Sequence, residues 1–296
     1  MDLKTYLDAK RAMVEEALER RFPAIQGPAA LLTESMRYSL LAGGKRLRPI
    51  LHLASVEAVG GDPDACMGFA CALEMIHTYS LIHDDLPSMD NDELRRGKPT
   101  NHVIYGEAMA LLAGDALLTE AFRVIAQESL AGRLDPKAVL RATLELAQAA
   151  GAQGMVGGQA VDILSEGKPL DPDTLVFIHT HKTAALIRAS LTTGAILGGA
   201  GQDELDRLAR YGECLGLAFQ IRDDLLNEEG DPKRLGKAIR TDRARGKATY
   251  PGLFGIQGSR DKLKDLAFEA IGCLELFGSE AQPLREIALY VVERDH

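Results

Sequence analysis

Apolar residues recur at steps of three and four along most of this chain, and no stretch keeps the alternation of a half-buried strand. Residues 2–22, 135–150, 174–197 and 204–226 carry this helical period most clearly. Asp135-Pro136 and Asp171-Pro172 mark two helix starts, because an aspartate caps free backbone N–H groups and proline suits the first helical position. Breaks fall at Gly43-Gly44, Gly60-Gly61-Asp62-Pro63, Pro87, Gly198-Gly199 and Pro251. The pattern predicts an all-α fold of roughly ten to twelve helices.

A chain of 296 residues, 46% of them hydrophobic, has ample material for one large core, so residues 1–296 are read as one domain. No uncharged stretch reaches the ~20 apolar residues of a membrane span. The N-terminal MDLKTYLDAKRAMVEEALERRF has the charge of an amphipathic helix and lacks the apolar centre of a signal peptide, so a cytoplasmic location is expected. Four cysteines without a C-x-x-C pair are expected to be buried thiols rather than a disulfide scaffold. The net charge of −9 opposes nucleic-acid binding, so any bound anion must meet a local cluster of cations.

Two acidic clusters stand out. HDDLPSMDNDELRR at 83–96 puts Asp84, Asp85, Asp90, Asp92 and Glu93 directly after an apolar helical run containing Leu73, Ile76 and Leu81. Asp84 and Asp85 stand toward the end of a helix that Pro87 limits, where the helix dipole favours cations and adjacent like charges repel. A bound cation resolves that conflict. Hard carboxylate oxygens suit Mg²⁺, which takes one or two of them and completes its shell with phosphate oxygens and water. QIRDDLLNEEGD at 220–231 repeats the arrangement, with Asp223 and Asp224 following the apolar run 215–219 and Asn227 one turn beyond Asp223. Either cluster alone also fits a solvated acidic loop; two that face each other across a helical bundle would hold metal between them.

Cations supply the other half of an anion site. Gly43-Gly44-Lys45-Arg46-Leu47-Arg48 offers a glycine turn with three of them, Arg95-Arg96 follow the first acidic cluster, and Lys182-Thr183 lie within a helical stretch. Taken singly, each also reads as surface charge, or as arginines that pair with Asp92 and Glu93. The stretch 233–247 carries seven Lys and Arg against Asp242, with Gly236 and Gly246 among them. It fits a solvated flap, or a lid that closes on phosphates.

In combination, GGKRLRP, the DDxxxxD spacing followed by RRG, GGQAVD at 157–162, HKTAALIRAS, FQIRDD and GKATYP resemble the trans-type isoprenyl diphosphate synthases, and among these the bacterial farnesyl diphosphate synthases. Six motifs in order, from about residue 30 to residue 256, carry the resemblance. It implies an orthogonal bundle of helices around a deep central cavity, usually a homodimer. The implied reaction is a Mg²⁺-dependent condensation of isopentenyl diphosphate with dimethylallyl or geranyl diphosphate to farnesyl diphosphate. On the matching positions, the resemblance implies that Asp84, Asp85, Asp90, Asp223 and Asp224 hold Mg²⁺, and that Lys45, Arg48, His77 and Arg96 bind isopentenyl diphosphate. Arg95, Lys182, Thr183, Gln220 and Lys237 would contact the allylic diphosphate, with Lys182, Thr183 and Gln220 serving the chemistry.

Two positions depart from the family pattern. Asn227 stands where a last aspartate is usual, and Arg240 where glycine is common. Asn227 keeps the shape and loses the charge, which weakens the field around the metals unless Glu228, Glu229 or Asp231 compensates. It also leaves a terpene cyclase as an alternative reading, beside a geranylgeranyl diphosphate synthase and a non-catalytic partner subunit. Lys45, Arg48, His77 and Arg96 weigh against the cyclase, which has no use for a second diphosphate pocket. Product length is assigned to Tyr79, five residues or about 7.5 Å before Asp84 along the helix. Tyr79 is read as sharing Asp84's angular sector, beneath the metal site, where its ring would stop the chain at fifteen carbons; a core tyrosine packed between helices is the plain alternative.

Overall fold

The computed structural model describes residues 2–229 and 248–293. Its helices are α1 (Leu3–Arg21), α2 (Ala30–Leu40), α3 (Leu47–Ala58), α4 (Met67–Asp84), α5 (Asn101–Tyr105), α6 (Glu107–Leu130), α7 (Pro136–Ala150), α8 (Met155–Ser165), α9 (Pro172–Ile178), α10 (Ala185–Gly198), α11 (Gln202–Glu229), α12 (Tyr250–Cys273) and α13 (Gln282–Glu293). A π turn, His179–Ala184, joins α9 to α10 in one rod. The all-α expectation holds. With the rod of α9, the π turn and α10 counted once and the five-residue α5 counted as a turn, the described residues hold eleven helices, within the ten to twelve expected.

The helix-start signals act as read. Asp135 accepts the Lys137 N–H at 3.2 Å and Asp171 the Thr174 N–H at 2.9 Å, each with proline in the first turn. The sequence pattern has no sign of the small ladder formed by β1 (Leu94–Arg95) and β2 (Lys98–Pro99). Its strands are too short for alternation to register. Arg96 and Gly97 between them both take positive φ, 54° and 74°, the backbone of a two-residue hairpin turn that follows strand twist.

Burial explains the layering. α3, α4 and α10 are buried on nearly every side, as helices without a polar face must be. α3 lies between α4 and α10, α6 covers α4, and α11 packs on α10 with α12 outside it. Most of the buried apolar residues form one continuous cluster from Val14 to Val291. Among the described residues, no helix is long and apolar enough to cross a membrane.

Candidate active site

A cavity of about 720 Å³ opens between the start of α3, α4, the hairpin, α8, the π turn and α11. On α4 its lining is Glu74, His77, Ser80, Leu81 and Asp84. That spacing traces one helical face. Opposite them stand Gln220 and Asp223 of α11, and Lys182 and Thr183 of the π turn.

The acidic side is electrostatically loaded. After α4 ends, the chain doubles back so that the Asp90 N–H donates to the Asp84 carbonyl at 2.8 Å, with Asn91 at a φ of 51° completing the turn. Burial, with Asp90 and Asp85 nearby, pushes the Asp84 carboxyl up to about 6 against the pull of Lys182. Asp85 is buried and takes a bidentate fork from Arg95, at 2.6 to 2.9 Å. Its pKa is still raised, because burial outweighs the arginine. Two predicted site residues thus hold each other at the cavity's edge.

The basic side concentrates cations. Lys45, Arg48, His77 and Arg96 all line the cavity. Arg48 Nε is buried without a partner, and burial together with Arg96 draws its guanidinium down to about 10. His77 falls well below its ordinary range through burial and the arginines around it. Arg46 does something different from its two neighbours. It is buried against Glu74 at 2.6 Å and donates to the Leu40 carbonyl at 2.8 Å. Its left-handed φ of 50° turns the chain so that Lys45 and Arg48 reach the cavity on either side.

The π turn carries Lys182 and Thr183. Lys182 Nζ meets Asp162 Oδ2 at 2.7 Å, while Thr183 Oγ1 donates to Gln220 Oε1 at 2.9 Å. Close helix crossings hold this turn. A Cβ on Gly158 would stand 2.8 Å from Lys182 Cα, and one on Gly216 would stand 2.6 Å from Ala184 Cα. Gly158, Gln159 and Asp162 belong to the GGQAVD motif, which pointed to the site without assigning them roles. Their helical spacing from Gly158 to Asp162 was the available signal.

Asp224 lies off the cavity wall. It is buried, accepting from Gln220 Nε2 at 3.0 Å and from the Tyr250 N–H at 2.8 Å, with His179 Nε2 3.4 Å away. Asn227 is buried on the same helix. Lys237, Arg240 and the basic stretch 233–247 lie outside the described residues. Tyr79 and Asp84 do not share the sector expected of them: five residues turn the helix by about 500°, which leaves Tyr79 some 140° round from Asp84. Tyr79 is accordingly absent from the cavity lining; it is 7% exposed and sets its ring edge-on to His83, 5.8 Å between centroids, where α4 meets α6.

The donor set fits a divalent metal held jointly with a ligand. Among the described residues no three His, Cys, Asp or Glu side chains form a ready-made cage. Asp84 and Asp223 instead offer hard oxygens into one cavity, and a carboxyl pushed up by burial and like charge is one that a cation would relieve.

Residues 29–275 match the model of the family described as polyprenyl synthetase. The chain belongs to this family. It is 47% identical over 296 residues to a farnesyl diphosphate synthase of Geobacillus stearothermophilus, covering all of this chain and 99% of that one. It is 48% identical over 299 residues to the large subunit 1 of a chloroplastic heterodimeric geranylgeranyl pyrophosphate synthase of Arabidopsis thaliana, covering all of this chain and 80% of that one. The crystal structure of an FPP/GFPP synthase from Zymomonas mobilis superposes with a TM-score of 0.88 at 40% identity, over 98% of both chains. The family assignment makes the chain a prenyltransferase with the all-α fold of isoprenyl synthases.

Proposed function

We propose that this prenyltransferase condenses isopentenyl diphosphate with dimethylallyl and then geranyl diphosphate, releasing farnesyl diphosphate. One observation carries the reading: a single cavity is lined both by a carboxylate pair, Asp84 and Asp223, and by a cationic cluster, Lys45, Arg48 and Arg96, with the neutral His77 beside it. Two diphosphates need two such places. A terpene cyclase would leave the buried, unpartnered Arg48 Nε without purpose, and a non-catalytic subunit would have no use for either side.

In this reading the allylic diphosphate lies against Asp84 and Asp223, and Mg²⁺ bound there would supply positive charge to the departing diphosphate. Lys182, held by Asp162, points its ammonium at the same leaving group. The Thr183 and Gln220 oxygens face the carbon that becomes cationic. Leu186, Ile187 and Phe219 keep water from quenching it. Arg48, Arg96, Lys45 and His77 fix the isopentenyl diphosphate so that its double bond attacks that carbon, and the released diphosphate takes the final proton. Lys237 would join the allylic side.

The farnesyl product is supported by the likeness to the Geobacillus enzyme and by Tyr79. Tyr79 is buried where α4 meets α6, its ring edge-on to His83, a place from which it would stop a chain that grows past the cavity wall between these helices. The geranylgeranyl synthase of Arabidopsis favours a twenty-carbon product at much the same identity. Product chromatography after incubation with Mg²⁺, dimethylallyl diphosphate and labelled isopentenyl diphosphate separates the two readings. Fifteen carbons support the proposal and a dominant twenty-carbon product contradicts it. A homodimer of one-domain subunits in the cytoplasm completes the proposal; exposed Leu111 and Leu112 on α6 and Leu140 and Leu144 on α7 support the pairing, which light scattering tests.

A further inference from the structure

Four helix threonines, Thr119, Thr143, Thr180 and Thr193, donate their hydroxyl protons to the carbonyl four residues back, the usual choice within a helix. Thr183 does not. In the π turn its Oγ1 donates across to Gln220 Oε1 at 2.9 Å on α11. Gln220 Nε2 in turn donates to Asp224 Oδ1 at 3.0 Å, and the other carboxylate oxygen accepts the Tyr250 N–H at 2.8 Å. The direction of this relay follows from chemistry. Both Asp224 oxygens accept in these bonds, and a primary amide has one donating end and one accepting end. Gln220 must therefore turn its NH₂ to Asp224 and its carbonyl to Thr183. Thr183 must then give its proton to Gln220, which leaves oxygen lone pairs, not a hydroxyl hydrogen, on the cavity side.

We propose that Asp224 is a positioning residue that sets the polarity of Gln220 and Thr183, so that lone pairs face the carbon that gains positive charge as the allylic C–O bond breaks. This rests on the reading that the allylic carbon lies beside Thr183. A fixed dipole aimed at developing charge assists only with the correct sign, and the reversed dipole opposes the reaction.

Asp224→Asn inverts the relay at nearly constant shape. The amide oxygen of the variant side chain keeps the Tyr250 N–H, its NH₂ faces Gln220, the Gln220 amide turns over, and the Thr183 hydroxyl hydrogen points into the cavity. The expected result is a fall in kcat on the order of 10- to 100-fold. KM for the allylic diphosphate should stay within about threefold, with the metal-free Tm within about 2 °C of wild type and the Mg²⁺ midpoint unchanged. Adding Gln220→Glu to Asp224→Asn returns a pure acceptor to Thr183 and should recover most of the loss. In a Thr183→Val background, Asp224→Asn should cost little more. A fully active Asp224→Asn variant overturns the proposal, as does a loss that Gln220→Glu leaves in place and Thr183→Val does not absorb. A loss cured by raising Mg²⁺ overturns it in favour of metal binding by Asp224. Wild-type enzyme that never consumes isopentenyl diphosphate overturns the function beneath it, and is told apart because it appears before any variant is made.

Discussion

Asp84→Asn separates a metal-binding carboxylate from a structural one, because the two roles move metal-free stability in opposite directions. Each tenfold change in an ionisation equilibrium is worth about 1.4 kcal/mol. A carboxyl held at about 6 instead of 3.8 therefore costs the metal-free fold about 3 kcal/mol at neutral pH. The sign follows from linkage. The folded value lies above the unfolded one, so the cost is absent below pH 3.8, grows between there and about 6, and is full above that. Asparagine removes the charge but still buries an amide, which retains part of the cost, so about 1–2 kcal/mol of gain is expected. For a chain of this size that corresponds to a Tm higher by roughly 2–3 °C. The assay is scanning calorimetry without metal at pH 7.5 and at pH 4, beside the rate of isopentenyl incorporation. The variant should gain at pH 7.5, show little difference at pH 4, and lose turnover by at least about 100-fold. A lower Tm at pH 7.5, or the same difference at both pH values, refutes the electrostatic reasoning; wild-type turnover refutes the role in the site.

Tyr79→Ala, checked first for folding because core truncation costs about 3–5 kcal/mol, should shift product from fifteen toward twenty carbons, and a folded variant that still stops at fifteen shows that another residue sets the length. Asn227→Asp should lower the Mg²⁺ concentration for half-maximal rate by deepening the local field, with metal-free Tm falling because a buried position gains a charge; an unchanged metal titration removes Asn227 from the metals' surroundings. Arg48→Gln should raise KM for isopentenyl diphosphate by at least about tenfold while leaving KM for the allylic substrate near wild type, and equal rises in both contradict the two-sided cavity. Gly158→Ala drives a methyl into the Lys182 backbone and should cost about 1–3 kcal/mol of stability with a drop in kcat, read by denaturant titration and initial rates.

Much of the site was legible because helical spacing is a local property. Glu74, His77, Leu81 and Asp84 fall on one face by arithmetic, and they line one wall. The same arithmetic, applied to an interval of five, gave Tyr79 the wrong sector, since one turn plus a step and a half rotates the side chain well off that face. The π turn had no local signature. Residues 174–197 keep an α-helical period straight through it, and the irregular winding at His179–Ala184 shows itself only in tertiary contacts, with Gly158 and Gly216 pressed against the turn. Lys45, Arg46 and Arg48 read alike as cations; only the fold tells Arg46, buried on Glu74, from neighbours that face the cavity. Asp223 and Asp224 were likewise equivalent in sequence, and a rotation of 100° separates a cavity wall from a buried network.

The central claim is that one cavity binds two diphosphates and joins their carbon chains. Its most direct test is the consumption of labelled isopentenyl diphosphate by the wild-type enzyme, with and without dimethylallyl diphosphate and with and without Mg²⁺. The account predicts label in longer allylic products only when primer and metal are both present. Isopentenyl diphosphate left untouched while the primer alone is converted to hydrocarbon would contradict it.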